Sequence, residues 1–164
     1  MTITKTLVIL ALVAGTLACR RGSAPEPAAA EPEIPALAVT IWSDRTELFM
    51  EHPPLVAGAQ ARFAIHLTDM STFAPLREGR VVVRFEGETV TRFEVDGPTT
   101  PGIFGVDVKV PAARRYQLAV EVHTQKFTDE LRAGAVTVHQ DQKAALAAVP
   151  ADEEGATSFL KEQQ

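Results

Sequence analysis

The chain is short of several residue types that often stabilise small proteins or carry chemistry. Cys19 is the single cysteine among 164 residues, so no disulfide can form within the chain. Sixteen Lys and Arg stand against 21 Asp and Glu, a net charge of −5, and a protein that neutralises nucleic-acid phosphates needs the opposite balance. There is one tryptophan, Trp42, which is expected to pack at the edge of a core. The fold must therefore rest on packing alone, and no nucleic-acid partner is expected.

Sequence motifs for catalysis are also missing. Gly102 and Gly105 sit in the approach to a strand and lack the lysine that follows a phosphate-binding loop. No Gly-x-Ser-x-Gly turn is present, and no serine is placed with a histidine as a nucleophile and base. The sequence therefore predicts a protein that is not an enzyme and needs no cofactor.

The longest apolar run is Leu7–Leu17, which follows Lys5. A helix that crosses a bilayer needs about 20 residues, so this run is better suited to the core of an export signal. The letters "TLAC" that end at Cys19 resemble a bacterial lipobox, which implies cleavage after residue 18 and a lipid on the Cys19 thiol. Thr16 departs from that pattern, where a larger aliphatic residue is usual. Cleavage by the ordinary signal peptidase and an uncleaved anchor are the alternatives.

Residues 19–36 form a linker rich in proline and alanine, with little that can pack. A polyproline-like chain rises about 3.1 Å per residue, so the linker would reach about 50 Å. The predicted location is the periplasm, with a folded domain tethered to a membrane through Cys19.

Residues 37–139 alternate between apolar and polar positions, which is typical of strands with one buried face. The clearest runs are "RFAIHL", "VVVRFE", "FGVDVKV" and "YQLAVEVH". Four less regular strands are expected at Ala38–Ser43, Thr46–Glu51, Thr89–Val95 and Ala135–His139. With turn residues between the runs, the pattern predicts an all-β fold, an antiparallel immunoglobulin-like β-sandwich of about seven or eight strands.

Residues 140–164 have a different character. The letters "DQKAALAAV" predict a short helix that ends at Pro150. The acidic run Asp152-Glu153-Glu154 is interpreted as part of a solvated hinge, with cation binding as the alternative. Thr157 or Ser158 would cap a further helical turn.

Metal ligation depends on the histidines and on Met50. Met50 and His52 lie two residues apart, so on a strand they share one face, and a thioether with an imidazole suits copper(I). His66 and His123 fall on the outward faces of their strands. Because no His-x-x-x-His spacing occurs, the favoured interpretation is that Met50 packs and the histidines lie on the surface, with no metal site.

Three stretches together resemble the N-terminal region of periplasmic adaptor subunits, or membrane fusion proteins, of RND-type efflux pumps. They are residues 46–81, residues 101–122 and the terminal "TSFLKEQQ". The most specific motifs, in the family's order, are Glu47-Leu48-Phe49, Gly58, Phe63, His66-Leu67-Thr68-Asp69 and Leu76-x-x-Gly79, supported by Pro101-Gly102-Ile103-Phe104 and Phe159-Leu160-Lys161-Glu162-Gln163-Gln164.

The resemblance implies a non-enzymatic module that helps to assemble a transenvelope export complex. Its partners would be an inner-membrane RND pump and an outer-membrane channel protein, and the full-length family forms homo-oligomers. In the family a β-barrel, a lipoyl-like domain and a helical hairpin normally follow, so the chain is expected to be the front part of a longer protein. His66, Thr68 and Asp69 are either structural caps on a loop or part of a docking surface.

Two other functions remain open. One is a periplasmic copper-type module that delivers ions to a pump, which the Met50 and His52 pair suggests. The other is a stand-alone lipoprotein that binds a ligand or a partner through its sandwich.

Overall fold

The computed structural model describes residues 35–150, and they form an all-β domain of two sheets with one short helix. The strands are β1 Leu37–Trp42, β2 Thr46–His52, β3 Leu55–Val56, β4 Ala61–Asp69, β5 Ala74–Pro75, β6 Arg80–Glu86, β7 Val90–Asp96, β8 Ile103–Val108, β9 Arg114–His123 and β10 Thr128–His139. The predicted all-β class with two layers is confirmed.

The first sheet has the order β1-β2-β4, and the long strand β4 then pairs with β8 along one part and with β5 at its end. The second sheet has the order β3-β10-β9-β6-β7. All pairings are antiparallel except the short contact between β3 and β10. The most specific part of the family resemblance therefore forms neighbouring strands, β2 and β4, of the first sheet.

The core lies between the sheets and is built by the alternation seen in the sequence. On β4, Phe63, Ile65 and Leu67 are buried, and on β6 so are Val83 and Phe85. Phe63 and Phe85 meet edge to face with ring centroids 6.1 Å apart, a favourable geometry for aromatic pairs. The inward residues of the two sheets thus form one continuous apolar cluster.

All eight predicted strands are present, but the last one is longer than expected. Strand β10 begins at Thr128 rather than Ala135. Its register against β9 shifts between Arg132 and Gly134, and Gly134 has a φ of 83°. This bulge breaks the alternation, so the segment before it does not look like a strand in sequence.

The predicted short helix is present as α1, Gln142–Ala147. The side chain of Asp141 accepts a hydrogen bond from the Ala144 amide at 2.8 Å and caps the helix. Ala145 is buried, and the helix contacts β3 and β10. Within residues 35–150 this helix is far too short to cross a bilayer, and no candidate span is found.

Candidate functional site

The outward side of the first sheet carries a row of apolar and aromatic side chains, which we call the aromatic face: Trp42, Phe49, His66 and Ile103. The strand register places Phe49 opposite His66, and His66 opposite Ile103. The rings of Phe49 and His66 are 5.5 Å apart between centroids. An outward sheet face with clustered aromatics resembles the composition of protein interfaces.

Trp42 is 61% exposed, so the prediction that it packs at the edge of the core is wrong. It is the last residue of β1 and shares the outward side with Ala38 and Thr40. Its indole Nε1 donates a hydrogen bond to Glu47 on β2 at 3.1 Å. The indole is therefore held by a neighbouring strand while most of its surface faces solvent.

The loop between β4 and β5 adjoins the aromatic face and is held by Asp69. The Asp69 carboxylate accepts hydrogen bonds from the Ser71 hydroxyl at 2.6 Å and the Ser71 amide at 2.8 Å. The hydroxyl bond is the main reason that the pKa of Asp69 is lowered, and the amide bond adds to it. The structural interpretation of Asp69 as a loop cap is confirmed.

Phe73 lies at the tip of this loop. Its φ of 54° is the one positive value at a non-glycine residue within residues 35–150. Its side chain is 77% exposed. A left-handed backbone costs an ordinary residue roughly 1–2 kcal/mol, and an exposed phenyl ring recovers none of this by burial. Strained positions of this kind often mark functional sites.

The base of the loop is fixed by a close approach to the start of β8. The Gly102 amide donates to the Leu76 carbonyl at 2.7 Å, and the Leu67 amide donates to the Gly102 carbonyl at 2.8 Å. Gly102 has a φ of 87°, and a Cβ there would lie 2.7 Å from the Cβ of Pro75. Glycine is required at this position, and the Phe73 loop is presented from a firm base.

Met50 and His52 both point inward from β2. Met50 is fully buried, which confirms that it packs. His52 is only 7% exposed and stacks on Phe63 with ring centroids 4.6 Å apart, so the prediction of a surface histidine is wrong at this position. Burial lowers the pKa of His52, opposed by a bond between its Nδ1 and the Pro53 carbonyl at 2.8 Å. His52 is therefore a neutral core histidine.

The outward side of the second sheet carries a cluster of charges around Arg84, which we call the Arg84 cluster: Arg84, Glu86, Glu121, His123, Glu130 and Arg132. Arg84 contacts three of the carboxylates, and its side chain is 12% exposed. His123 faces outward, as predicted, and bonds Glu121 at 3.1 Å. The charges satisfy each other, so the cluster is interpreted as structural.

Several predicted features cannot be placed. Cys19, the acidic run 152–154 and the "TSFLKEQQ" segment lie outside the described residues. Within residues 35–150, no three side chains drawn from His, Cys, Asp and Glu come together to hold a metal ion.

The sequence did not predict Phe73 as a functional residue. Its left-handed backbone conformation follows from the turn that Asp69 caps, and no residue pattern predicts that conformation for a phenylalanine.

Comparisons of this chain with protein-family models, with curated proteins and with solved structures find no match.

Proposed function

We propose that residues 37–139 are the non-enzymatic N-terminal module of a periplasmic adaptor subunit of an RND-type efflux pump. The module would be held at a membrane by a lipid on Cys19 and would dock a protein partner through the aromatic face and the Phe73 loop. The partner we infer is the periplasmic part of the inner-membrane pump.

One observation carries this proposal. The stretch with the most specific family motifs, residues 46–81, contains β2, β4 and the Phe73 loop, and these elements supply Phe49, His66 and the exposed Phe73. A docking module needs a rigid layer under its contact residues, and the aromatic face lies directly over the buried core of the first sheet. The inference is made from the site, and the family resemblance supplies the identity of the partner.

The geometry also agrees with the energetics of protein docking. A few aromatic residues usually supply most of the binding energy of an interface. Trp42 and Phe73 are both more than half exposed, so each can bury a large apolar area in a partner.

Site-specific photo-crosslinking tests the proposal. The full chain would be expressed in its native host with a benzophenone amino acid at position 42 or 73. Position 90 is the matched control, because Val90 is a 52% exposed hydrophobic residue on the edge strand of the other sheet. We expect adducts with the RND pump from positions 42 and 73, and none from position 90.

The outcomes separate the candidate functions. Adducts with a protein that is not part of an efflux system, or equal adducts from all three positions, would contradict docking to a pump. A chain that crosslinks to nothing and stays monomeric would support the stand-alone lipoprotein instead.

A further inference from the structure

Strand β7, Val90–Asp96, forms an open edge of the second sheet. It pairs with β6 on one side, and within residues 35–150 no strand pairs with its other side. Its seven residues include no proline, and its register against β6 runs without a bulge. Proline and bulges are two of the devices that keep sheet edges from pairing with another chain. The edge of β7 can therefore accept a further strand.

The backbone groups that face this edge belong to the even-numbered residues of β7. The Gly97 amide donates a hydrogen bond to the Gly79 carbonyl at 2.7 Å, and this pair extends the register between β6 and β7. In an antiparallel pair, residues that bond across alternate with residues that do not. Counting back from Gly97, the odd-numbered residues of β7 bond to β6. The N–H and C=O groups of the others point to the open edge: Val90, Arg92, Glu94 and Asp96.

The exposed side chains at this edge include a cation and an anion two residues apart, Arg92 and Glu94. Within residues 35–150 no carboxylate forms an ion pair with Arg92, and the register places it opposite a like charge, Arg84. Glu94 lies 4.0 Å from Arg80, and both side chains are about half exposed or more. Exposed pairs of this kind contribute little, so both charges are available to another chain.

We propose that the edge of β7 pairs with the same edge of a second copy of this chain, in an antiparallel contact centred on Phe93. In that register Arg92 of one copy lies opposite Glu94 of the other, and the twofold symmetry forms this pair twice. The backbone groups of both residues hydrogen-bond across the contact, because they already point to the open edge. The two five-stranded second sheets then form one continuous sheet.

The charges of β7 select this register over its neighbours. A slip of two residues is the smallest that keeps every side chain on its own face, and it places Arg92 opposite Arg92 or Glu94 opposite Glu94. Like charges directly opposite each other destabilise a strand pair, whereas opposite charges stabilise it. On the inner side Phe93 meets Phe93 of the second copy, and Thr91 meets Val95. All three are half-buried in the single chain, so the contact covers surface that one copy leaves open.

The edge strands of the first sheet lack this complementarity. Strand β1 carries no charged side chain. Strand β8 carries only Asp107, which already pairs with Arg62 at 2.9 Å. Neither strand holds opposite charges that could match on a second copy. The proposed contact uses the second sheet, so it does not depend on docking through the aromatic face.

Disulfide mapping tests the register. The full chain with Cys19→Ser, in which only introduced thiols can react, is expressed in its bacterial host and oxidised with diamide. Phe93→Cys lies on the twofold axis, where facing Cα atoms are about 4.5 Å apart, a distance that a disulfide spans. We expect a linked dimer from Phe93→Cys, and also from Thr91→Cys and Val95→Cys chains produced together.

Val95→Cys produced alone is the matched control. Its counterpart in the second copy lies four residues farther along the strand, about 13 Å away, which is beyond the reach of a disulfide. The combination of Thr91→Cys with Val95→Cys keeps the test independent of Phe93, whose replacement removes some packing. A photo-adduct between copies at position 90 differs in mass from a pump adduct, so position 90 remains a valid control for docking to the pump.

Charge reversal tests what holds the contact together. Arg92→Glu and Glu94→Arg should each lower the dimer yield from Phe93→Cys by about fivefold or more, because each change turns both symmetric pairs into repulsions. Combining the two substitutions restores opposite charges and should recover the yield. Lys109→Glu changes the net charge by the same amount as Arg92→Glu at an exposed position outside β7, and it should leave the yield unchanged.

Three results would overturn the proposal. Equal yields from Phe93→Cys and from Val95→Cys alone would indicate random collision, and the absence of any linked dimer would leave the edge unpaired. An adduct between these positions and a different protein would assign the edge to a foreign strand. A yield that ignores the charge reversals would contradict the Arg92–Glu94 register.

Discussion

Phe73 combines a backbone conformation that opposes stability with a side chain that gains little from burial. Its backbone is left-handed, which favours glycine or asparagine, and its ring is 77% exposed to water. The loop is held in place by hydrogen bonds, because Asp69 caps it and its base adjoins the start of β8. A position that is firmly held and costly to the free protein is best explained by a benefit gained on binding.

Phe73→Asn should therefore stabilise the isolated domain. Asparagine tolerates the left-handed region better than phenylalanine, and little packing is lost from an exposed ring. We expect the free energy of unfolding to rise by about 1 kcal/mol, measured by urea denaturation. Val90→Asn is the control: it removes an exposed hydrophobic side chain from a strand, and it should be neutral or destabilising because asparagine is a poor strand former. A less stable Phe73→Asn would show that the ring makes contacts that matter in the free protein.

Asp69 gives a prediction about pH. Its pKa is lowered in the folded protein, chiefly by the Ser71 hydroxyl, so the unfolded chain binds more protons in acid. The ionised carboxylate then stabilises the fold above its ordinary pKa of about 4, and this stability is lost as the pH falls through the lower folded-state pKa. Asp69→Asn keeps an oxygen for Ser71 but loses the charge. The wild type should be more stable than Asp69→Asn at pH 7, and the gap should close in acid.

Chemical denaturation at several pH values between neutral and strongly acidic measures that gap. The difference between the two proteins isolates Asp69 because every other carboxylate titrates in both. A gap that stays constant across the range would mean that the carboxylate charge contributes nothing to the cap.

At the scale of whole elements, the Arg84 cluster links three strands of the second sheet. Arg84 lies on β6, Glu121 on β9 and Glu130 on β10. Burial raises the pKa of Glu121, but hydrogen bonds from His123 and Arg84 outweigh burial, so the net pKa is lowered. The pKa of Arg84 is raised, first by its hydrogen bond to Glu86. These shifts indicate that the charged forms stabilise one another.

Arg84→Met tests how much this cluster contributes. Removing the cation leaves Glu86, Glu121 and Glu130 close together on a partly desolvated face, and we expect a loss of about 2 kcal/mol in the free energy of unfolding at pH 7. Adding Glu121→Gln to Arg84→Met should recover part of the loss, because it removes the carboxylate that Arg132 does not contact. A double-mutant cycle measures this coupling. Purely additive effects would show that the pair does not interact.

The strands also show how much of the fold can be predicted from the sequence alone. Strands with one buried face were predictable because alternation records the side of the sheet on which each residue lies. The same alternation puts Trp42 with Ala38 and Thr40 on the outward side of the sheet. The exposure of Trp42 was therefore predictable from the sequence pattern of β1. The first half of β10 was not predictable, because the bulge at Gly134 interrupts the two-residue alternation. Two-residue strands such as β3 are too short to leave a pattern.

The candidate sites were harder to predict than the strands. Spacing along a strand placed Met50 and His52 on one face, but residues of β10 line the same cavity through the packing of one sheet on the other. Which residues meet between the two sheets depends on the sheet topology, and the spacing of residues along the chain does not reveal that topology.

For the molecule as a whole, the described domain keeps its separate surfaces on separate layers. The aromatic face belongs to the first sheet and the Arg84 cluster to the second. A protein partner on the aromatic face therefore need not disturb the Arg84 cluster. The proposed role adds the requirement that the domain is kept near a membrane, which the predicted lipid on Cys19 would meet.

Cys19→Ser should separate anchoring from folding. Without the thiol no lipid can be attached, and a chain fed a clickable fatty acid in its bacterial host should lose the label and leave the membrane fraction. Its melting temperature should not change, because the buried apolar core of the described residues runs from Leu48 to Val138. Thr16→Leu is the matched variant: it restores the aliphatic residue usual in a lipobox and should label at least as well as the wild type. An unlabelled wild type that still sediments with membranes would instead indicate that the apolar run Leu7–Leu17 is retained as an uncleaved anchor.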